Sequence, residues 1–192
     1  DVTENLDKYE LGIAVSKVQD FVWDEFCDWY IEFVKPRMYD KSEEGRNSKN
    51  AALWTLKKVL SQALKLLHPY MPFITEEIYC TLHPEEESIM IADWPVYDES
   101  IDDQDAEKGM IRAMDLVREV RNVRTEMNVP PSKKAKLIVV SEDASVRDIY
   151  SDLAGIFSNL AGASEVFVQS DNGSVPEKAV SAVIPDATAY MP

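Results

Sequence analysis

Residues 11–37 read LGIAVSKVQDFVWDEFCDWYIEFVKPR, and the spacing of their apolar positions decides the fold class. Leu11, Val15, Val18, Val22, Phe26, Trp29 and Phe33 recur at steps of three and four, which puts them on one stripe of a helix. Phe21, Trp23, Cys27, Tyr30, Ile31 and Val34 widen the apolar surface beyond that stripe, so neighbours are expected on more than one side. Pro36 is expected to stop the helix, because it lacks a backbone donor and clashes with the preceding turn. Lys35 and Arg37 then lie at the negative end of the helix dipole, where they can also meet anionic groups of a ligand.

Outward from this stretch, Val2 to Leu11 also reads as helix. It begins at Asp1 with no cap signal before it, so a truncated N-terminus is expected. Downstream, the polar run DKSEEGRNSKN at 40–50 predicts a loop. A second helix follows with Leu53, Leu56, Leu60, Ala63 and Leu67 on one face, ending at the prolines of His68-Pro-Tyr-Met-Pro72. A third is opened by Pro72 and runs to about Leu82, with Glu76 and Glu77 near its positive end. SIMIADW at 88–94 predicts a short extended segment, and 95–105 an acidic loop. A fourth helix from Glu107 to Asn128 is expected to turn Leu116, Val120, Val123 and Met127 inward, with Arg118, Arg121 and Thr125 on another face. Val129-Pro130-Pro131 ends it. Beyond Ser132 the pattern changes: a strand at Ala135–Val140, helix at Val146–Ala161, and strands at Ser164–Val168 and Ala179–Ile184.

The chain has 192 residues, 45% of them hydrophobic, enough for a core with a small appendage. No apolar run reaches the roughly 20 residues that span a bilayer, and no signal-peptide pattern is present, so a cytoplasmic location is expected. Cys27 and Cys80 sit inside apolar helical patterns, which fits reduced core thiols. The formal net charge is −15, at odds with the basic footprint of an RNA-binding protein. Its distribution is uneven. From Glu85 to Glu107 there are ten acidic residues and no Lys or Arg. Met110 to Lys136 holds Arg112, Arg118, Arg121, Arg124, Lys133, Lys134 and Lys136 against only Asp115, Glu119 and Glu126.

No catalytic set emerges. A nucleophilic thiol would need a base, and the only histidines are His68 and His83. Cys80 and His83 lie one turn apart, half of a zinc site at most, with no second ligand pair. The side chains of Glu76 and Glu77 diverge on a helix by about 100°. The glycines are isolated and form no phosphate loop. What remains is the juxtaposition of aromatic and basic side chains in FCDWYIEFVKPR at 26–37, the two kinds that single-stranded RNA uses for stacking and phosphate contact. An acidic helical protein-interaction module is the alternative.

Four blocks carry a resemblance. FCDWYIE with KPRMY at 26–39, HPYMPFITEEIY at 68–79, SIMIADWP at 88–95 and VRNVRTEMNVPPSKK at 120–134 resemble, in order and spacing, the anticodon-binding region of valyl-tRNA synthetases. The HPYMPFITEE block is shared with the leucyl, isoleucyl and methionyl enzymes, whereas the first and last are more specific to the valyl family.

The resemblance implies a mainly α fold. An antiparallel helix bundle of the class I synthetase anticodon-binding type is expected over 1–132, its first helix truncated, with a small α+β subdomain over 133–192. It implies a non-catalytic, monomeric piece with no cofactor or metal of its own. Its partners would be the anticodon stem-loop of valine tRNA and the rest of a synthetase chain, whose catalytic and editing domains lie elsewhere. Cys27, Tyr30 and Ile31 are then expected to meet unpaired bases, and Lys35 and Arg37 to contact phosphates. Arg118, Arg121, Arg124, Lys133 and Lys134 are further phosphate candidates.

Overall fold

Helix α1 (Val2–Asp7) ends where Tyr9 takes a left-handed backbone, φ 60°. The Tyr9 and Glu10 amides close it by bonding back to the carbonyls of Leu6 and Asn5, at 2.9 and 2.8 Å. The expected helix from Val2 to Leu11 is therefore broken before α2 (Leu11–Asp20) begins. The computed structural model describes residues 1–192, apart from the side chain of Glu44. The chain divides into two units, Asp1–Glu99 and Ser100–Pro192.

In the first unit, α2 continues without a turn into ten π-helical residues, Phe21–Tyr30, and then into α3 (Ile31–Tyr39). Ala14, Val18, Phe26, Trp29 and Val34 are buried along this helix. Leu11, by contrast, is 51% exposed and does not belong to the buried stripe. Pro36 lies inside α3 and does not stop it. The proline forfeits only the bond of its own missing amide to the preceding turn, and three residues follow it. The Arg37 guanidinium also pins this last turn, donating from Nε to Ser48 Oγ at 2.8 Å and from NH2 to the Ser48 carbonyl at 2.7 Å.

Ser48 belongs to α4 (Glu43–Leu67), so most of the polar 40–50 run is helix and not loop. Ser42 caps it, its Oγ accepting from the Gly45 amide at 2.9 Å. The polar composition of 40–50 therefore marks a cap and the first two turns of the helix. The buried side of α4 is Ala52, Ser61, Ala63 and Leu64, while Leu53 faces outward. Helix α5 (Pro72–Leu82) packs on α4, and Leu64, Tyr79 and Ile89 form a small core with Leu60, Ile78, Leu82 and Ala92 against it.

Ile89–Ile91 is a turn of 3₁₀ helix and not an extended segment. The Ser88 hydroxyl accepts from the Met90 amide, and Glu76 Oε2 accepts from the Ile89 amide at 3.2 Å. Side chains tie this unit together elsewhere: Trp94 Nε1 donates to Thr3 Oγ1 and Tyr70 Oη to the Leu11 carbonyl, each at 2.9 Å.

The second unit opens on α6 (Gln104–Glu126), capped by Asp103. Ala113, Leu116, Val117 and Val120 are buried, but Met127, expected inward, is 57% exposed. It lies beyond the helix end, at which Asn128 takes φ 53° and the Val129 amide bonds to the Arg124 carbonyl. Strand β1 (Ala135–Val140) pairs in parallel with β2 (Ala163–Gln169), and α7 (Ala144–Asp152) and α8 (Ala154–Leu160) form the crossover. The expected single helix at 146–161 is thus two, parted at Leu153.

Strands β3 (Val180–Ile184) and β4 (Ala187–Met191) form a hairpin, giving the order β2-β1-β4-β3 with β4 antiparallel to both neighbours. The compositional change at Ser132, where the sequence predicts a boundary, falls inside this unit, in the turn between α6 and β1.

Tyr150 is 1% exposed in this core, and burial, with the nearby Asp186 charge, pushes its phenol up to about 12. Burial and the Glu86 carboxylate drive Tyr79 up in the first unit as well. A phenol whose folded value is raised stabilises the fold below its unfolded value near 10 and loses that contribution as pH climbs through the folded value. An absorbance titration at 295 nm should show two of the eight tyrosines ionising late, together with unfolding, above about pH 11. Ionisation of all eight near pH 10, with native circular dichroism retained, would contradict this burial.

Candidate nucleic-acid interface

Cys27, Tyr30 and Ile31 are each half-buried on the long helix, neither sealed in the core nor fully open. Their neighbours set their posture. Phe26, buried, stacks on Tyr30 with ring centroids 6.1 Å apart and planes 19° from parallel. Trp29, also buried, packs on Phe33 at 5.6 Å. Cys27 and Tyr30 lie in the π-helical stretch, whose i→i+5 bonding widens the turn. Such stretches are rare and concentrate at functional sites.

The charges are arranged by position. Asp24, Glu25 and Asp28 are exposed along the middle of the helix, so it repels phosphate there. The cations gather at the end. Lys35 is exposed and paired with Glu32 one turn back. Arg37 is partly buried, its guanidinium engaged by Ser48.

The residues expected to help from the later basic run lie in the second unit. Arg118 pairs with Asp115 at 3.1 Å, and Arg121 Nε donates to the Leu160 carbonyl at 2.8 Å, both from exposed positions. Lys133 and Lys134 are exposed in the turn after Pro130-Pro131. Arg124 differs from the rest. It is 8% exposed and donates to the Pro130 and Lys133 carbonyls, so its guanidinium faces the interior and not a ligand's phosphate.

Residues 1–139 match the family described as the anticodon-binding domain of tRNA ligase. The chain belongs to that family. It is 46% identical over its full 192 residues to the valine–tRNA ligase of Clostridium perfringens and equally to that of Clostridium acetobutylicum. It is 38% identical over 191 residues to that of Bacillus anthracis. The chain spans 21% of the length of these curated relatives.

Within this anticodon-binding domain the other reactive side chains are held in structural roles. Cys80 Sγ donates to Glu76 Oε1 at 3.4 Å, and burial pushes the thiol above its ordinary range, which disfavours the thiolate. His83 does not share a site with it. The Ser61 hydroxyl donates to the Lys57 carbonyl at 2.7 Å, so its oxygen accepts from His83 Nε2, also at 2.7 Å. His83 Nδ1 faces Glu85 at 3.3 Å, and Glu86 accepts from the Tyr79 hydroxyl at 2.7 Å. Among the described residues, His83, Glu85 and Glu86 are the one set of donors close enough to share an ion. Each already has a protein partner. No helix of the chain is long and apolar enough to cross a membrane.

The basic face of α4 was missed from sequence, although a signal was there. From Gly45 to Leu67 the chain has Arg46, Lys49, Lys57, Lys58 and Lys65 and no carboxylate, in a protein whose net charge is −15.

Proposed function

We propose that this chain binds the anticodon stem-loop of valine tRNA and presents the tRNA to a catalytic domain elsewhere in a longer valine–tRNA ligase. It takes no part in the chemistry and needs no cofactor of its own. The supporting observation is the half-exposed face of Cys27, Tyr30 and Ile31 on a helix that ends in Lys35 and Arg37, within a chain of the anticodon-binding family. Unpaired bases fit against the apolar middle, where exposed carboxylates exclude phosphate, and the backbone follows toward Lys35. Arg118, Arg121, Lys133 and Lys134 supply further backbone contacts. The protein acts as a cytoplasmic monomer in this reading.

Filter binding of a valine tRNA stem-loop against an anticodon-swapped version tests it. The swap should weaken binding at least tenfold, since base contacts carry the sequence information. Ile31→Asp should weaken binding to the valine stem-loop by about 10- to 100-fold, the loss expected for a base deprived of its stacking surface. Lys35→Gln should flatten the salt dependence by about one phosphate contact and leave the preference intact. Equal affinity for both stem-loops would overturn the reading and favour an acidic protein-interaction module.

A further inference from the structure

Helix α4 borders a cavity away from Cys27, Tyr30 and Ile31. The cavity, of about 340 Å³, is lined among others by Trp54, Lys57, Lys58, Lys65, Tyr79 and His83. That volume lies within the range of small-ligand pockets, about 300–1,000 Å³. Its cations and aromatic rings are already paired. The Lys58 ammonium sits 6.0 Å from the Trp54 ring centroid, and that of Lys65 sits 5.5 Å from the Tyr79 ring. Tyr79 is buried and stacks on His83 with centroids 4.6 Å apart, so the base of the cavity is held rigidly from behind. Trp54, at the other extreme, is 66% exposed, with its indole beside the cavity.

Three lysines line this space with one carboxylate, Glu86, which accepts from the Tyr79 hydroxyl, and Glu85 lies close enough to act on His83 and Lys57. Trp54 stands exposed among lysines on α4 in an otherwise acidic chain. Base-stacking aromatics beside phosphate-binding cations are how proteins hold single-stranded nucleic acid. We propose that the Trp54–Lys65 face of α4 holds an unpaired nucleotide of an RNA strand, its base stacked on Trp54 and its flanking phosphates on Lys57, Lys58 and Lys65. This contact is indifferent to base identity, because every base offers a π face. It rests on the RNA-binding reading above only in taking RNA as the ligand, and needs nothing from Cys27, Tyr30 or Ile31.

The test uses the whole 192-residue chain, hexauridylate and the two stem-loops. Trp54→Ala should weaken hexauridylate binding by roughly five- to a hundred-fold, and Trp54→Phe should recover most of it, since a phenyl ring still stacks. Replacing Lys57, Lys58 and Lys65 together by Gln should lower the slope of log affinity against log salt by about 2. Unchanged circular dichroism is expected, because Trp54, Lys57 and Lys58 are exposed.

Both stem-loops should lose affinity equally in these variants, so that any anticodon preference survives. If the variants bind every RNA as the parent chain does, the α4 site is refuted, while a persisting preference for the valine anticodon leaves the first reading standing. Failure of the parent chain to bind any of the three RNAs overturns both. Binding of uridine monophosphate as tightly as hexauridylate would assign the cavity to free nucleotides, and equal binding of polyglutamate would assign it to acidic peptides. Either result overturns the RNA assignment.

Discussion

Replacing Arg124 by Met is expected to destabilise the second unit by about 2–4 kcal/mol, with no change in the salt dependence of RNA binding by the protein that remains folded. Arg124 is almost wholly buried, and its guanidinium donates to the carbonyls of Pro130 and Lys133. It therefore holds the turn that leads from α6 into β1. Gly162 completes the arrangement. Its φ is +66°, and a Cβ there would come within 3.3 Å of the guanidinium carbon. Glycine is needed both for the left-handed backbone and for the close approach.

Methionine fills similar space but leaves both carbonyls without their charged donor, a loss of about 1.5–3 kcal/mol for each such bond before relaxation. Lysine should recover part of the loss, since both bonds leave a single guanidinium nitrogen and an ammonium carries three donors. Urea unfolding monitored by circular dichroism measures the first effect, and affinity against salt the second. A phosphate contact would behave in the opposite way, keeping stability and flattening the salt slope. That pattern is expected for Lys133→Gln or Lys134→Gln.

Arg124 also shows what a single sequence conceals. In residues 110–136 it looks like Arg118 and Arg121, one more cation in a basic run. Spacing does separate it. Leu116, Val117, Val120 and Arg124 lie at helical steps and all are buried, so Arg124 continues the inner face of α6. The carbonyls it serves, however, belong to a turn whose path only the fold reveals.

The helices themselves were largely legible, because burial of a stripe leaves a period that survives in sequence. What failed were readings of punctuation. Pro36 is tolerated since it forfeits only its own amide's bond and Arg37 anchors the turn that follows. Ser42 was hidden as a cap in a run that composition alone marks as loop. Ile89–Ile91 was misread because three residues of 3₁₀ helix have no period to display. Strand β4 was overlooked for a related reason. ATAYM at 187–191 is short and alanine-rich, and pairing with β1 and β3 gives it its shape.

The candidate interface divides along the same line. The aromatic and basic content of residues 26–37 could be read directly, whereas the half-burial of Cys27, Tyr30 and Ile31 is a property of the fold. The ion pair of Lys35 with Glu32 and the engagement of Arg37 by Ser48 could not be read either, since both depend on rotamers and on the position of α4. The two cations are consequently unequal. Lys35 can exchange an exposed carboxylate for a phosphate at little cost. Arg37 would have to release the end of α3 to do the same. Substitution at Arg37 should therefore register as lost helix order as well as lost affinity.

The largest single loss of stability is expected from Phe157→Ala, about 3–5 kcal/mol. Phe157 has no exposed surface, and its ring lies 6.0 Å from that of Tyr150 at an angle of 52°. Helices α7 and α8, which carry the two rings, are separate elements parted at Leu153, and both pack on β2. The helix is interrupted at Leu153, so no single helix keeps the two segments in line. The aromatic pair between them must supply much of the cohesion, and α8, of seven residues, is too short to persist without tertiary support.

Truncation to alanine removes the transfer free energy of the ring and leaves a cavity beside Tyr150, whereas Phe157→Leu, closer in volume but without the ring contact, should cost less than the alanine variant. Amide hydrogen exchange in α8 and at Leu137–Val139 of β1 should accelerate in the alanine variant and recover only in part in the leucine one. All four tryptophans, Trp23, Trp29, Trp54 and Trp94, lie within Asp1–Glu99, so the exchange readout is the one that reports on the sheet itself. A loss under about 1 kcal/mol for the alanine variant would mean that the α7–α8 crossover is held to the sheet by its backbone connections and not by the ring pair.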